Sequence, residues 1–172
     1  MREGATVSGA SIERTRTRGT ELTHSRRQAR CAPQMVTVVR ALAHRGDRVL
    51  MLRRAYGDSL GGCWELPGGK VDYTGDRHEE PLEALAREFQ EECGLELQGT
   101  PQLLATAPRV SPSGKLVQEL TYVTEAAEGI ERLSSEHDAA RWQPLNEPAP
   151  SNLTEAAAAG LAALRARADA TA

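Results

Sequence analysis

The chain has 172 residues, of which 40% are hydrophobic and 26% charged, with a formal net charge of −3. These values are typical of one globular domain and leave too few residues for two ordinary ones. Three scattered cysteines, Cys31, Cys63 and Cys93, form no CxxC pattern, which argues against a disulfide framework and favours a reducing, cytoplasmic location. No apolar run approaches the roughly 18 residues that a membrane span needs, so we expect no membrane partner.

Residues 1–34 differ from the rest of the chain in composition. They hold seven arginines and three glutamates, so that a basic segment precedes an acidic body. The segment lacks an apolar period and is rich in Arg, Thr, Ser and Gly, which predicts a disordered tail ahead of one domain at residues 35–172. A polyanion contact through this tail and a translation start at Met35 are alternatives to an inert extension, which we favour. We do not expect nucleic acid as a partner.

Beyond residue 34, short segments rich in β-branched and apolar residues recur between Gly-, Pro- and Ser-containing turns, which predicts strands. The predicted strands are residues 35–43, 48–54, 64–66, 95–97, 102–107, 116–124 and 141–145. A polar loop is expected over residues 125–140 and an alanine-rich helix over residues 152–167, with Leu161 and Leu164 on its apolar side.

The central helix prediction covers residues 81–93. Pro81 suits the first helical turn, and Gly94 suits the position just past the end. Apolar residues recur at helical spacing and predict one buried stripe. The stripe consists of Leu82, Leu85, Ala86, Phe89 and Cys93.

Three glutamates of this helix, Glu88, Glu91 and Glu92, border the predicted stripe. Without a cation the arrangement is unfavourable, because like charges at i,i+4 repel. Most charge runs are solvated faces, but the border position and the preceding Gly68-Gly69 turn, whose bare backbone can approach a ligand, favour a metal site. Carboxylate and carbonyl oxygens suit Mg²⁺ or Mn²⁺ rather than zinc. Such a cation could bridge phosphate oxygens and activate a water molecule.

The segment resembles the Nudix box, whose pattern is G-x5-E-x7-R-E-U-x-E-E-x-G-U, where U is an apolar residue. From Glu79 onward the match holds position by position, through Arg87-Glu88-Phe89-Gln90-Glu91-Glu92-Cys93-Gly94-Leu95. Upstream, nine residues instead of five separate Gly69 from Glu79. This four-residue insertion is most simply placed within residues 74–78, because a loop tolerates added length. It alters the loop that leads to Glu79 and leaves the helix glutamates in register.

The resemblance extends over roughly residues 35–168 and implies an α/β fold, namely an α/β/α sandwich around a mixed β-sheet. It also implies Mg²⁺-dependent hydrolysis of a nucleoside diphosphate linked to a further group. By the same resemblance, Glu88 and Glu92 are metal ligands together with the carbonyl of Gly68. Glu91 is a further ligand or the general base, and Arg87 orients the carboxylates.

Four further positions are candidates for substrate or proton handling. Glu136, in a later loop, is an alternative general base, although an ordinary loop glutamate explains it as well. Arg54 precedes the Gly68-Gly69 turn by a number of residues similar to that found in hydrolases of oxidised dGTP. In those hydrolases, the arginine at this position contacts the nucleotide. The amide of Asn152 could read a purine edge or could cap the last helix. Trp64 could stack on a base or pack in the core.

These similarities favour a nucleoside triphosphate, including an oxidised or modified one, cleaved to a monophosphate and pyrophosphate. ADP-ribose, a nucleotide sugar or an isoprenoid diphosphate is the alternative substrate. Pro112 lies near a position where ADP-ribose-cleaving relatives carry a proline, but the Ser-Pro-Ser-Gly turn explains this residue as well. A further alternative is a nucleotide-binding module without catalytic activity, but the intact glutamates argue against it. Another alternative is a capped RNA as substrate, bound through the basic tail. A monomer and a homodimer are equally compatible with the sequence.

Overall fold

Ten elements form the fold, and the computed structural model describes them over residues 35–57, 60–74, 77–111 and 113–170. The predicted tail at residues 1–34, Cys31 and Pro112 lie outside the described residues. In chain order the elements are β1 (Val36–Arg45), β2 (Arg48–Arg54), β3 (Trp64–Glu65), β4 (Tyr73–Thr74), β5 (Arg77–His78), α1 (Pro81–Cys93), β6 (Leu97–Val110), β7 (Leu116–Ala126), β8 (His137–Pro144) and α2 (Glu155–Asp169). Within these ranges, no helix combines the length and apolarity needed to cross a membrane.

The main sheet is mixed and has six strands in the order β3-β2-β1-β7-β6, with β8 paired to β2. β1 and β7 run parallel, whereas β6 pairs with β7, and β8 with β2, in antiparallel fashion. β1 and β2 pair beside their turn, at Arg45–Arg48 and His44–Val49. Farther along, the loop after β3 takes the place beside β1, where Val39 N–H donates to the Gly69 carbonyl at 2.8 Å and Ala41 N–H to the Pro67 carbonyl at 2.7 Å.

Each face of the sheet is covered by one helix, since successive side chains of a strand point to opposite faces. On one face, Leu85 and Phe89 of α1 pack with Val39 of β1 and Leu50 of β2. On the other face, Ala157 and Leu161 of α2 pack with Leu42 of β1 and Met51 of β2. The resulting α/β/α sandwich around a mixed sheet confirms the predicted fold class.

Helix α1 begins and ends where the sequence predicts, but the predicted buried stripe is wrong at two positions. Leu82 is 42% exposed and Ala86 is exposed, whereas Ala84 and Glu92 are buried. The buried face consists of two adjoining i,i+4 rows, the fully buried row Leu85–Phe89–Cys93 and the row Ala84–Glu88–Glu92, in which Glu88 is half-buried. Two of the glutamates therefore belong to a row that turns inward rather than to a flanking polar face.

Among the other boundaries that differ from the sequence prediction, three have a clear physical reason. The two segments at 95–97 and 102–107 belong to one strand, β6, whose register shifts after Gln98 and after Leu103. Gly99 and Pro101 suggested an end, but an edge strand accommodates such residues at bulges. β8 begins at His137, inside the predicted polar loop, because His137 is buried and pairs with Arg54. The last helix begins at Glu155 behind an N-cap at Thr154, not at Asn152.

The burial of α1 predicts that replacing two of its leucines by alanine lowers the free energy of unfolding by different amounts. Leu85→Ala removes a fully buried side chain and is expected to lower the free energy of unfolding by about 2–5 kcal/mol. Leu82→Ala, at the half-exposed position, should lower it by less than about 1 kcal/mol. Urea denaturation followed by circular dichroism measures both changes. Equal losses in the two variants would contradict the two-row assignment.

Candidate active site

A cavity of about 390 Å³ lies where β1, the loop after β3 and α1 meet. Gly68, Glu88 and Glu92 line it together with Arg54 and Glu136, so that five of the residues singled out from the sequence surround one space. Another cavity, of about 440 Å³, lies against α2 beside His44 and Arg167. It is larger but holds none of the box residues, so the chemistry of the lining and not the volume identifies the candidate site.

Gly68 and Gly69 allow the loop to pass between β1 and α1. Gly68 has φ +139°, and a Cβ at this position would lie 2.1 Å from the carbonyl oxygen of Val39. A Cβ on Gly69 would lie 2.3 Å from the carboxyl carbon of Glu88. A side chain is therefore excluded at Gly68 by the backbone, whereas a side chain at Gly69 would require the Glu88 carboxylate to move.

Glu92 is the carboxylate that the fold buries most deeply among the helix glutamates. It is 7% exposed, and the Gly68 N–H donates a hydrogen bond of 2.7 Å to its Oε2. Burial disfavours the charged form and raises its pKa from 4.5 to about 7, although the Gly68 hydrogen bond acts in the opposite direction. A bound cation would supply the countercharge and restore the ionised form.

Arg87 connects several carboxylates at the edge of the cavity. Its Nε and Nη2 donate to the two oxygens of Glu79 at 2.8 and 2.9 Å, and its Nη1 donates to Glu88 Oε1 at 2.9 Å. A longer bond of 3.3 Å reaches Glu91. The hydrogen bonds with Glu79, ahead of those with Glu88, raise the pKa of Arg87 above its ordinary value. Arg87 thus contacts three carboxylates, and its orienting function stays a prediction.

The four-residue insertion takes the form of a small hairpin, β4–β5, that leaves Glu79 beside Arg87. At its base, Glu79 N–H donates to the Asp72 carbonyl at 3.1 Å, and Asp72 N–H donates to Glu79 Oε2 at 2.9 Å. These bonds hold Glu79 directly beside Asp72, across the base of the β4–β5 pair. The altered spacing therefore does not displace this residue from the helix.

Glu91 lies apart from the other two helix glutamates. Its carboxylate is 58% exposed, contacts Arg87 and does not belong to the cavity lining. Within residues 35–57, 60–74, 77–111 and 113–170, no three His, Cys, Asp or Glu side chains meet in a geometry that could hold a metal ion. Glu88, Glu92 and the Gly68 carbonyl share the cavity, whereas Glu91 as ligand or base stays a prediction.

Arg54 and Glu136 enter the cavity from the opposite side. Arg54 Nη1 donates to Glu65 Oε1 at 2.9 Å, and its Nη2 lies 3.8 Å from Glu136 Oε2. The Glu136 carboxylate is 63% exposed, and its backbone carbonyl accepts a hydrogen bond of 2.8 Å from Ala55 N–H. The position suits either substrate contact or proton transfer, and Arg54 is not a solvent-exposed strand end.

A buried contact between Glu65 and His137, which no sequence motif indicates, supports the chain at Arg54 and Glu136. Glu65 is 2% exposed, and His137 Nε2 lies 3.1 Å from its Oε1. Burial raises the pKa of Glu65, but the hydrogen bond of His137 and the charges of Arg40 and Arg54 outweigh it, so the pKa is lowered overall. His137 follows Glu136 directly and thus anchors the chain at the candidate base.

Trp64 and Asn152 do not line the cavity. Trp64 is half-buried and packs against the core beneath α2, with the Arg53 guanidinium 5.8 Å from its ring. Asn152 is exposed, and its side-chain amide donates to the Gly62 carbonyl. The helix cap is Thr154, so the capping interpretation of Asn152 is wrong. Base contacts by these two residues stay predictions.

Four charged lining residues were not identified from the sequence, namely Arg40, Lys70, Asp72 and Arg109. For Arg40, the available signal was a charged residue in the middle of an otherwise apolar strand. Its neighbours Val39, Ala41 and Leu42 are completely buried. A charge at such a position is rarely tolerated without a partner.

Comparison with known proteins identifies the class of this fold and site. The family model described as NUDIX domain matches residues 33–164. Solved structures of similar fold include the MutT NUDIX hydrolase from Burkholderia pseudomallei, 30% identical with a TM-score of 0.65, covering 76% of this chain and 98% of the other. The E. coli ORF135 protein is 28% identical with a TM-score of 0.65, covering 80% and 93%.

Curated relatives match over shorter stretches. The CTP pyrophosphohydrolase of Escherichia coli is 36% identical over 37% of this chain and 44% of its own length. The 8-oxo-dGTP diphosphatase of Proteus vulgaris is 34% identical over 46% and 66%, and the putative 8-oxo-dGTP diphosphatase 2 of Mycobacterium tuberculosis is 47% identical over 35% and 40%. The chain thus spans about two fifths to two thirds of these relatives' lengths.

Fold and site together define a mixed-sheet α/β domain with a carboxylate-lined cavity behind a Gly-Gly turn. Since the family model matches more than half of the chain, the chain belongs to the Nudix family.

The closed base of the β4–β5 hairpin predicts that the insertion can be removed. Deleting residues 74–77 leaves Asp72, Tyr73, His78 and Glu79 as a four-residue turn, in which the Glu79 N–H to Asp72 carbonyl bond becomes the turn hydrogen bond. The free energy of unfolding should change by less than about 1 kcal/mol, because loop length contributes little. Glu79→Ala, which removes the partner of Arg87, is the comparison variant. A deletion that destabilises as much as Glu79→Ala would contradict the hairpin account.

The buried Glu92 predicts a pH-dependent penalty in the metal-free protein. Its folded pKa of about 7 exceeds the reference value of 4.5, so its contribution to stability is present below pH 4.5 and lost as the pH rises through 7. Glu92→Gln should therefore stabilise the metal-free protein relative to the parent at pH 8, by up to about 3 kcal/mol, and much less at pH 5. Urea denaturation in EDTA measures this difference. Glu91→Gln, the same substitution at an exposed position of α1, is the control variant.

Proposed function

We propose that the protein is a Mg²⁺- or Mn²⁺-dependent hydrolase that cleaves a diphosphate linkage in a nucleoside diphosphate linked to a further group. The substrate that we favour is a nucleoside triphosphate, including an oxidised or modified one, which yields a monophosphate and pyrophosphate. Family membership supports the reaction class. The curated relatives named as CTP pyrophosphohydrolase and 8-oxo-dGTP diphosphatase support the substrate class.

The lining of the cavity is the observation that carries the proposal. It combines two carboxylates of one helix, Glu88 and Glu92, with the exposed end of Lys70 and with Arg54 and Arg109. Acidic groups alone would repel a diphosphate, and basic groups alone would offer no cation site. A space with both accommodates a phosphate chain together with a divalent cation.

The residues present fit such a cation. Glu92 is buried with a raised pKa and a single described hydrogen bond, which is the condition of a carboxylate that lacks countercharge. Glu88, Glu92 and the Gly68 carbonyl would hold the ion, because hard oxygen ligands suit Mg²⁺ and Mn²⁺. When bound, the ion supplies charge neutralisation at the phosphate oxygens and a lowered pKa of an attacking water.

The protein side chains would perform the remaining steps. Arg54 and Arg109 would bind phosphate oxygens, since a guanidinium offers several donors in a fixed plane. Arg87 would keep the Glu88 carboxylate turned to the cavity through their 2.9 Å hydrogen bond. Glu136 would take the proton of the attacking water, because its carboxylate is exposed, lines the cavity and sits on a chain anchored by His137. Glu91 is the alternative base.

Substitution of the buried carboxylate tests the catalytic assignment. Glu92→Gln preserves the shape of the side chain and removes its charge, so hydrolysis should fall at least about a hundredfold, because the cation contributes several kcal/mol to the transition state. Phosphate release after pyrophosphatase treatment measures the rate, and the unfolding transition verifies the fold. Glu155→Gln, at an exposed position of α2, should leave the rate unchanged. Undiminished hydrolysis by folded Glu92→Gln would refute the assignment.

A substrate panel tests the finer part of the proposal. The panel contains dNTPs, oxidised dNTPs, ADP-ribose, nucleotide sugars and isoprenoid diphosphates with Mg²⁺, and products are identified by mass. Nucleoside monophosphate and pyrophosphate as the main products would support the triphosphate assignment. Preferred cleavage of ADP-ribose or of a non-nucleotide diphosphate would overturn it while leaving the reaction class intact.

A further inference from the structure

We propose that Arg40 couples cation binding to diphosphate binding, by holding the Gly68 carbonyl in the empty site and turning to the phosphates when a substrate arrives. The inference rests on the proposed function, because it concerns the same cavity. It adds a residue that lies outside the box motif, in the middle of β1.

Arg40 makes a close contact with the backbone oxygen that the cation would use. Its Nη1 donates to the Gly68 carbonyl at 2.6 Å and, over a longer distance of 3.3 Å, to the Leu66 carbonyl. The side chain is 15% exposed and lines the cavity, so its guanidinium lies at the surface of the space that the substrate would enter. The guanidinium and a cation at this site would therefore share one oxygen atom.

The guanidinium retains its charge at every accessible pH, so the effect on a cation has a definite sign. Two positive charges on one carbonyl oxygen repel each other, and the low-dielectric surroundings of a partly buried group strengthen that repulsion. While Arg40 holds the Gly68 carbonyl, it therefore weakens cation binding. An anionic diphosphate in the cavity offers stronger acceptors than a neutral carbonyl, so it draws the guanidinium away from Gly68.

The remaining contacts of Arg40 are not those of a residue held firmly in one place. Its Nε is buried and has no hydrogen-bond partner. Its distance to Glu65 Oε2 is 3.6 Å, whereas Arg54 and His137 contact the other oxygen of Glu65 at 2.9 and 3.1 Å. Arg40 thus acts on Glu65 through its charge at 3.6 Å and not through a short hydrogen bond, which leaves this guanidinium available to move. A partly satisfied guanidinium at the cavity surface suits a group that exchanges partners.

The inference predicts changes of opposite sign for two ligands. Arg40→Met keeps much of the aliphatic volume and removes the charge, so Mn²⁺ alone should bind on the order of tenfold more tightly. Inorganic pyrophosphate, measured at saturating Mn²⁺, should bind about tenfold more weakly, because one charge-assisted hydrogen bond is lost. Electron paramagnetic resonance of free Mn²⁺ and titration calorimetry of pyrophosphate measure the two affinities in the full chain.

Three further variants separate the inference from simpler explanations. Arg40→Gln is also neutral and should tighten Mn²⁺ binding in the same direction, which provides a second test if the methionine variant fails to fold. Arg40→Lys retains the charge and should bind Mn²⁺ within about threefold of the parent. Arg109→Met also removes one positive charge from the cavity lining, but its guanidinium contacts Glu119 at 3.3 Å rather than Gly68. Its Mn²⁺ affinity should change less than that of Arg40→Met.

The outcomes distinguish this inference from the proposed function. If the parent and Glu92→Gln bind Mn²⁺ equally, the metal site of the proposed function fails. If the parent binds Mn²⁺ through Glu92 but neither neutral Arg40 variant binds it more tightly, the coupling by Arg40 fails alone. Weaker binding of both ligands would identify a merely structural role and overturn the inference. An equal effect of Arg109→Met would reduce it to a general charge effect and overturn it as well.

Discussion

The close approach of Gly68 to β1 is the constraint on which the rest of the site depends. A side chain at this position would collide with the Val39 carbonyl, and the neighbouring backbone bonds at Val39 and Ala41 fix the loop beside the strand. In this position the Gly68 N–H reaches the carboxylate of Glu92. The strand, the loop and the helix are therefore joined through one residue without a side chain. Because these bonds hold the loop beside β1, the loop does not fill the cavity at which β1, the loop and α1 meet.

The second organising feature is a division of charge between the two sides of the cavity. On the helix side, Arg87 donates hydrogen bonds to Glu79 and Glu88, whereas Glu92 accepts a hydrogen bond from the backbone N–H of Gly68. On the strand side, the carboxylate of Glu65 contacts both Arg54 and His137 through hydrogen bonds. Each side has one central residue that holds the surrounding charges in fixed positions. Glu92, with its raised pKa, and Arg40 line the same cavity, in which a cation and a phosphate chain would meet.

The sequence predicted local structure well where local rules determine it. Helix α1 could be bounded to the residue because Pro81 and Gly94 determine its ends by backbone geometry alone. The strand β6 was divided in two because Gly99 and Pro101 are breakers in isolation, whereas an edge strand with register shifts accepts them. The start of β8 at His137 was hidden within polar residues, because its burial depends on Glu65, which lies 72 positions earlier. Pairing across such a distance is not encoded in the local pattern.

The same reasoning explains which site residues the motif revealed. In a helix, the spacing of two residues along the chain determines their relative positions in space, so the motif identifies Glu88 and Glu92. In the loop before Glu79 the spacing is less restricted, because a hairpin accommodates the four added residues. Arg40 and Glu65 belong to no local motif and interrupt apolar stretches, Arg40 between Val39 and Ala41 and Glu65 between Trp64 and Leu66. Burial of charge is expensive unless partners are present, so charges that interrupt a buried strand point to a site. Arg40 and Glu65 carry this signal in the sequence itself, whereas His137 lies among polar residues and becomes recognisable only through its contact with Glu65.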